Sequence, residues 1–140
     1  MTCRLLGPVD ITIPLAALST TVFLDTGGTN GHLATPDWLP DFVRGLHLPG
    51  HLMQAVVRKL PAGQGIPPHV DPMRPHARRF HVPLVTHPAV RMAWPDDHVS
   101  THLAAGLLYE VRVDDLHEIV NHAPIDRVHV VVDVIDVPSP

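Results

Sequence analysis

Residues that commonly bind transition metals occur in this sequence at a spacing that suits a single metal site. His69 and Asp71 are two positions apart, and in an extended chain such residues point to the same side. A second histidine on an opposing strand would complete two imidazoles and one carboxylate, the ligand set that leaves open positions in non-haem Fe(II) oxygenases. His-x-Asp alone is a weak signal in a chain with 12 histidines, and a surface histidine beside an aspartate explains it equally well.

His117 is the histidine that can complete this set, and Arg127 follows it in the sequence. We predict a strand over residues 116–121, a turn over residues 122–126, and then a neighbouring antiparallel strand that begins at Arg127. That arrangement places the Arg127 guanidinium near the metal, where it could hold the far carboxylate of 2-oxoglutarate bidentately. His122 is an alternative ligand, but it falls in the turn and lies too close to Arg127 in sequence.

Short strands are the elements that must position these residues. From residue 53 onward, β-rich segments alternate with turn signals built from Pro, Gly, Asp and Asn. The sequence predicts strands over residues 53–60, 66–70, 79–85, 90–94, 105–113, 116–121 and 127–137. This close spacing indicates a mainly β protein, an antiparallel sandwich or barrel of the jelly-roll type.

The last of these strands has two chemically different faces. Its even-numbered positions from 128 to 134 are all valine, which is typical of a core face. The odd-numbered face carries Arg127, His129, Val131 and Asp133. A plain core face would not begin with an arginine and a histidine, so this face is a candidate lining of a site.

The first 50 residues are expected to support the barrel. Residues 10–15 alternate and contain β-branched side chains, which predicts a strand, and residues 25–30 form a polar loop. A helix is predicted from Pro36 to about Arg44, with Thr35 as its N-cap. Residues 1–140 are therefore expected to form a single domain, in which residues 51–137 are the metal-binding β-barrel core.

Composition excludes several classes of function. The chain has 140 residues, is 45% hydrophobic and carries a net charge of -4, so it is globular and lacks the basic face of a nucleic-acid-binding protein. No stretch approaches the roughly 20 apolar residues of a membrane span, and the N-terminus lacks the pattern of a signal peptide. The single cysteine, Cys3, fits a reducing compartment. We expect a cytoplasmic protein without a nucleic-acid or membrane partner.

Several motifs follow one another in an order that is more specific than any of them alone. They are Leu-Pro-Ala-Gly at 60–63, His69-Val-Asp71, Arg79-Phe-His81-Val-Pro-Leu84, Gly106, His117-Glu-Ile-Val-Asn121 and Arg127-Val-His-Val-Val-Val-Asp133. In this ordered set the span from about residue 56 to residue 136 resembles the aspartyl/asparaginyl β-hydroxylase family of Fe(II)/2-oxoglutarate dioxygenases. That family includes bacterial free-proline hydroxylases.

The resemblance implies a fold, an activity and a set of residue roles. The fold is the double-stranded β-helix, a jelly-roll or cupin-like barrel, with one or two N-terminal helices. Fe(II), 2-oxoglutarate and O₂ would be used to hydroxylate an amino-acid side chain, either in a free amino acid, in peptidyl Asp, Asn or Pro, or in a natural-product intermediate. His69, Asp71 and His117 would bind iron, and Arg127 would bind the 2-oxoglutarate carboxylate. Arg79 and His81 would line the cosubstrate side of the pocket.

Other functions fit a barrel of this kind. A metal-dependent cupin isomerase or lyase needs neither 2-oxoglutarate nor O₂ and has no use for Arg127. A non-catalytic cupin module would bind a small acid without turnover, and an oxygenase that lacks its own substrate lid would work beside a partner subunit. Arg74, Arg78 and Arg91 are candidates for binding a substrate carboxylate. Short barrels often pair, so a homodimer is an expected assembly.

Overall fold

Strands dominate the computed structural model, which describes residues 1–26 and 31–136. Two short α-helices, α1 (Thr12–Ala17) and α2 (Leu39–Gly45), lie in the N-terminal part of these residues, and 3-10 turns cover Leu18–Thr20 and Pro95–Asp97. The strands are β1 (Cys3–Pro8), β2 (Leu24–Asp25), β3 (His32–Ala34), β4 (His51–Leu60), β5 (Ile66–His69), β6 (Ala77–Val85), β7 (Val90–Trp94), β8 (Val99–Thr101), β9 (Leu107–Val111), β10 (His117–Asn121) and β11 (Arg127–Ile135).

The described strands form two antiparallel sheets. The larger has the order β1-β9-β6-β11-β4-β3-β2, and the smaller has the order β5-β10-β7-β8. Consecutive strands of the chain repeatedly change sheet, as in a jelly roll. The mainly β, cupin-like barrel predicted from the sequence is therefore confirmed, with two N-terminal helices.

Strand β11 runs through the middle of the larger sheet, paired with β4 on one side and β6 on the other. Its four even-numbered valines pack with Val57, Phe80 and Val82 and with the apolar face of α2. This predicted core face is confirmed. The odd-numbered face of β11 points between the two sheets, toward a second apolar cluster that contains Trp94 and Ile119.

The strand predicted over residues 10–15 is wrong, because this segment enters helix α1. The Asp10 carboxylate accepts hydrogen bonds from both the backbone N–H and the hydroxyl of Thr12, at 3.0 and 2.6 Å, which favours a helix start. Pro14 lies within the first turn, where its missing N–H is tolerated, whereas it could not donate to a strand ladder.

The predicted helix 36–44 exists, but it begins later. Residues 36–39 form a turn closed by the Leu39 N–H and the Pro36 carbonyl at 3.0 Å, and α2 starts at Leu39 with Pro40, not Pro36, in its first turn. Thr35 is therefore not the N-cap. Of the predicted loop 25–30, Asp25 ends β2, and residues 27–30 lie outside the described residues.

The strands predicted from residue 53 onward are present, with shifted ends. The segment 105–113 narrows to β9, and the last strand ends at Ile135, while residue 137 lies outside the described residues. Strands β1, β2, β3 and β8 were not predicted. All four are short or lie at or near the edge of a sheet, where half-exposed residues give little alternation.

The predicted hairpin between the strands at 116–121 and 127–137 is wrong. β10 belongs to the smaller sheet and β11 to the larger one, so residues 122–126 cross between sheets. This corner is fixed by polar contacts: the Asn121 side chain accepts from the Ala123 N–H at 2.9 Å, and the Asp126 carboxylate accepts from the Ala62 N–H at 2.9 Å. His117 and Arg127 consequently face each other across the barrel interior instead of lying on paired strands.

Among the described residues, no helix is long and apolar enough to cross a membrane.

The core behind β11 predicts a clear contrast between two valine substitutions. Val130 is fully buried, whereas Val22 is 76% exposed. Val130→Ala should lower the free energy of unfolding by about 2–3 kcal/mol, because two methyl groups leave a packed core and a cavity remains. Val22→Ala should change it by less than about 0.5 kcal/mol. Urea denaturation measures both, and equal effects would contradict the assignment of the core.

Candidate metal centre

Two adjacent strands of the smaller sheet bring the candidate ligands together. β5 and β10 are antiparallel, and His69 lies directly opposite His117 in their register. Asp71 follows β5, where its backbone N–H donates to the Val113 carbonyl at 2.9 Å. Potential ligand atoms of all three residues lie within 4.8 Å of one another, so the structure places the three predicted ligands around one point.

Both histidine rings are oriented as metal ligands require. Nδ1 of His69 lies 2.8 Å from the Pro67 carbonyl, and Nδ1 of His117 lies 2.8 Å from the Asp115 carbonyl. Because a carbonyl oxygen can only accept, each Nδ1 carries a proton, and Nε2 is the ring atom left to bind a metal. These Nε2 atoms face the Asp71 carboxylate, each at 3.5 Å from one of its oxygens. The donor set and its orientation fit a divalent transition metal.

The Asp71 carboxylate is held in place by Arg79. Nη1 of Arg79 donates to Asp71 at 3.1 Å, while its Nε and Nη2 donate to the two oxygens of Asp133 at 2.7 and 2.9 Å. Contact with His117, and then the charge of Arg79, lower the pKa of the Asp71 carboxyl against the opposing effect of burial. Asp71 is therefore ionised at neutral pH, which is the state that binds a cation.

A cavity of about 220 Å³ extends from these ligands between the two sheets, and we call it the site cavity. The larger sheet contributes Arg58, Arg79, His81, Arg127 and Val131 to its lining. Arg79 and His81 are two apart on β6 and face the cavity together, as their alternation predicts. The residues predicted from the sequence as ligands and as cosubstrate contacts therefore line one space, and their roles remain predictions.

Arg127 is a buried cation without an anionic partner. Only 3% of the residue is exposed, and none of the described carboxylates forms an ion pair with it. Burial, and next the charge of Arg58, lower the pKa of its guanidinium to about 9, so it is still charged at neutral pH. Burying a charge without an opposite charge is costly, so a guanidinium in this position could bind an anion that enters the cavity.

One neutral histidine, His129, holds this guanidinium, and a second, His81, contacts His129. Nε of Arg127 donates to Nε2 of His129 at 3.1 Å, and Nδ1 of His129 lies 3.0 Å from Nδ1 of His81. Burial, and then the charge of Arg127, lower the pKa of both rings well below the ordinary value. The Arg127 side chain is thereby held in place, and its positive charge is not neutralised by a carboxylate.

Other sequence candidates lie away from the cavity lining. His122, the alternative ligand, is exposed in the corner after β10. Of the arginines considered for a substrate carboxylate, Arg78 forms a bidentate pair with Glu110, Arg91 donates to Ser100, and Arg74 is exposed. None of these four lines the cavity.

Arg58 is a charged cavity residue that the sequence did not reveal. It lies on β4 directly opposite His129 in the register with β11. Only that pairing shows that Arg58 shares the face of the predicted site residues, and no local pattern around residues 56–60 contains it.

Comparison with known proteins identifies the family. The aspartyl/asparaginyl beta-hydroxylase family profile matches residues 32–136, which include all three candidate ligands and all of the polar cavity residues. The chain belongs to this family. Its family and its candidate triad indicate a metal-dependent enzyme with a cupin-type fold.

The solved structure of a polyketide cyclase shows the same fold at low sequence identity, and a cupin domain is also similar. The polyketide cyclase RemF from Streptomyces resistomycificus is 14% identical with a TM-score of 0.53, over 86% of this chain and 78% of that one. A cupin domain from Bordetella pertussis Tohama I is 19% identical with a TM-score of 0.48, over 65% of this chain and 88% of that one. No curated protein sequence matches this chain.

Substitution of the candidate ligands should abolish tight metal binding. His69→Ala and His117→Ala each remove an imidazole from the triad, and we expect the affinity for Mn(II) to fall by at least about 100-fold. His122→Ala is the matched control, because this nearby histidine is exposed and should leave the affinity unchanged. Isothermal titration calorimetry measures all three. Loss of binding in His122→Ala with retention in His117→Ala would contradict the ligand assignment.

Proposed function

We propose that this protein is a non-haem Fe(II)/2-oxoglutarate-dependent hydroxylase that acts on an amino-acid side chain. The observation that carries the proposal is the buried guanidinium of Arg127, which has no carboxylate partner among the described residues and lines the same cavity as the His69, Asp71 and His117 triad. A ligand that must satisfy both has a metal-chelating end and a carboxylate end, and 2-oxoglutarate has both.

Each part of the site has a defined task in this proposal. His69, Asp71 and His117 would hold Fe(II) on one side, which leaves coordination positions toward the cavity. Bound Fe(II) and 2-oxoglutarate supply O₂-dependent C–H hydroxylation, in which the substrate gains one oxygen atom and the 2-oxo acid becomes succinate and CO₂. Arg127 would anchor the distal carboxylate, and Arg79 keeps the Asp71 carboxylate oriented.

His81 adds a polar group to the cosubstrate side of the cavity. Its ring is neutral and fixed through Nδ1 by His129, so His81 offers a directed hydrogen-bonding group without adding a charge. Apolar side chains, among them Met92, Ile119 and Val131, complete the lining and limit the access of water.

The substrate class is the broader part of the proposal. A free amino acid, a peptidyl Asp, Asn or Pro, and a natural-product intermediate all satisfy the family relationship.

We also propose a cytoplasmic location, because the single cysteine fits a reducing compartment, and we propose a homodimer as the assembly.

A non-catalytic module that binds a small acid is the second candidate, since an unpaired buried arginine suits any carboxylate ligand. A cupin-type isomerase or lyase would use the triad but would give Arg127 no task. The isomerase or lyase separates from the hydroxylase by the response of the iron-loaded protein to 2-oxoglutarate, and the binding module separates from it by the absence of O₂-dependent conversion of 2-oxoglutarate to succinate.

Anaerobic titration of the Fe(II)-loaded protein with 2-oxoglutarate tests the proposal. Chelation of the metal by the keto and carboxylate oxygens should produce a weak visible charge-transfer band, and the band should be absent in His117→Ala. Iron binding without a band would remove the hydroxylase proposal and favour the alternatives.

Arg127→Gln should raise the 2-oxoglutarate concentration at half-saturation of this band by roughly 10- to 100-fold, because a charge-assisted bidentate contact is lost. Iron binding should persist, since Arg127 does not contact the triad. Arg44→Gln is the matched control on the exposed side of α2. An unaltered 2-oxoglutarate requirement in Arg127→Gln would refute the role of this residue.

A further inference from the structure

The candidate ligand Asp71 shares one arginine with a second carboxylate, that of Asp133. Arg79 lies directly opposite Asp133 in the register of β6 with β11. Its Nε and Nη2 donate to the two oxygens of Asp133 at 2.7 and 2.9 Å, and its Nη1 donates to Oδ2 of Asp71 at 3.1 Å. The contact with Asp133 is bidentate and shorter, so Asp133 is the stronger of the two partners.

The position of Asp133 is itself fixed. Only 6% of the residue is exposed, and the side-chain amide of Gln54, opposite Asp133 on β4, donates to its Oδ2 at 3.0 Å. Gln54, Asp133 and Arg79 therefore lie side by side on three adjacent strands of the larger sheet. Because an ion pair is strong where water is excluded, Asp133 determines where the Arg79 guanidinium lies.

The two oxygens of Asp71 have different surroundings. Oδ2 accepts from Arg79 and faces Nε2 of His117 at 3.5 Å. Oδ1 faces Nε2 of His69 at 3.5 Å and receives no arginine N–H from the described residues. A bidentate pair with Arg79 would occupy both oxygens and compensate the charge of the carboxylate. The single contact instead orients Asp71 and leaves Oδ1 for the metal.

The charges of these three residues lead to the same division. Asp71 and Asp133 each carry a negative charge and Arg79 a positive one, so the three together are singly negative. Without the charge of Asp133 they would be neutral, and Asp71 would be the one carboxylate in contact with Arg79 among the described residues. A divalent cation is bound less tightly beside a neutral group than beside a negative one.

We propose that Asp133 is a positioning residue of the metal centre. It keeps Arg79 in a bidentate pair, and thereby leaves Asp71 with one oxygen and a negative charge for the metal. The inference rests on the metal-binding triad of the proposed function. It adds a residue that forms no hydrogen bond or ion pair with any of the three candidate ligands.

Asp133→Asn should lower the affinity for Mn(II) by roughly 10- to 100-fold, the loss typical when an outer partner of a metal ligand is removed. The substitution keeps the size of the side chain but removes its charge, so Arg79 is expected to pair with Asp71 instead. Isothermal titration calorimetry on the full chain measures the affinity.

Glu110→Gln is the matched control for this substitution. Glu110 is buried, forms a bidentate pair with Arg78 at 2.7 and 2.8 Å, and contacts no candidate ligand. Breaking this pair should change the affinity for Mn(II) by less than about threefold, because the two sites are independent.

A second substitution separates positioning from support of the fold. Added to Asp133→Asn, the change Arg79→Gln removes the cation that competes for Asp71 and restores a singly negative group. The double variant should bind Mn(II) within about threefold of the wild type. If Asp133 only supported the fold, loss of its partner would not restore the affinity. A double variant that binds about 10-fold more weakly than the wild type would refute the proposal, even if Asp133→Asn alone does not fold.

Thermal unfolding of the metal-free proteins gives a further readout. Asp133→Asn and Glu110→Gln each break one buried arginine pair, so both should lower the melting temperature. Only Asp133→Asn should also lose affinity for Mn(II). Equal losses of affinity in the two variants would show that affinity follows stability, and the positioning role would be wrong.

Failure of this inference and failure of the proposed function give different results. If the wild type and Asp133→Asn bind Mn(II) equally well, the role of Asp133 is refuted and the proposed function stands. If the variants behave as expected but the Fe(II)-loaded wild type gives no band with 2-oxoglutarate, the proposed function is refuted and the role of Asp133 stands. A wild type that does not bind Mn(II) refutes both.

Discussion

The two-faced alternation of β11 is the constraint on which the rest of the structure depends. This strand pairs along its length with β4 and β6, so neither of its faces can move independently of the larger sheet. Its valines fix the sheet onto α2 and the N-terminal segment through apolar burial. The same register then obliges Arg127, His129 and Asp133 to point toward the smaller sheet. The apolar core and the polar lining of the cavity therefore both follow from the alternation of side chains along β11, which has a period of two residues.

Electrostatic balance in the cavity is incomplete within the described chain. Arg79 is neutralised by Asp133 and also contacts Asp71, whereas Arg58 and Arg127 have no carboxylate partner. A divalent metal at the triad would add positive charge, so a bound anion becomes more favourable when the metal is present. Metal and organic acid are thus expected to bind cooperatively, because the negative charge of the acid offsets the positive charges of the metal and of the arginines.

The sequence predicted the barrel and the candidate ligand triad better than it predicted how consecutive strands are connected. Alternation and turn signals located most of the strands after residue 50, and the spacing of His69, Asp71 and His117 anticipated their convergence. Local patterns could not tell that β10 and β11 belong to different sheets, since a five-residue connection suits a hairpin and an inter-sheet corner alike. The helix at Thr12–Ala17 was missed because the β-branched pattern of this segment predicts a strand. The hydrogen bonds from Thr12 to the Asp10 carboxylate, which favour a helix start, are not visible in that pattern. Arg58 was missed because its face is set by pairing with a strand distant in sequence.

Crossing between sheets gives the site a geometry that a hairpin could not. If β10 and β11 were paired, His117 and Arg127 would lie on one surface, and a ligand would be exposed along it. In the observed fold the candidate metal ligands lie on or next to the smaller sheet and the cationic end lies on the larger one, with the cavity between them. The Arg79 side chain contacts both Asp71 and Asp133, and so fixes the position of the triad relative to β11. In the proposed function, the packing of the two sheets would set the distance between a metal at the triad and the Arg127 guanidinium, so the whole barrel would select ligand length.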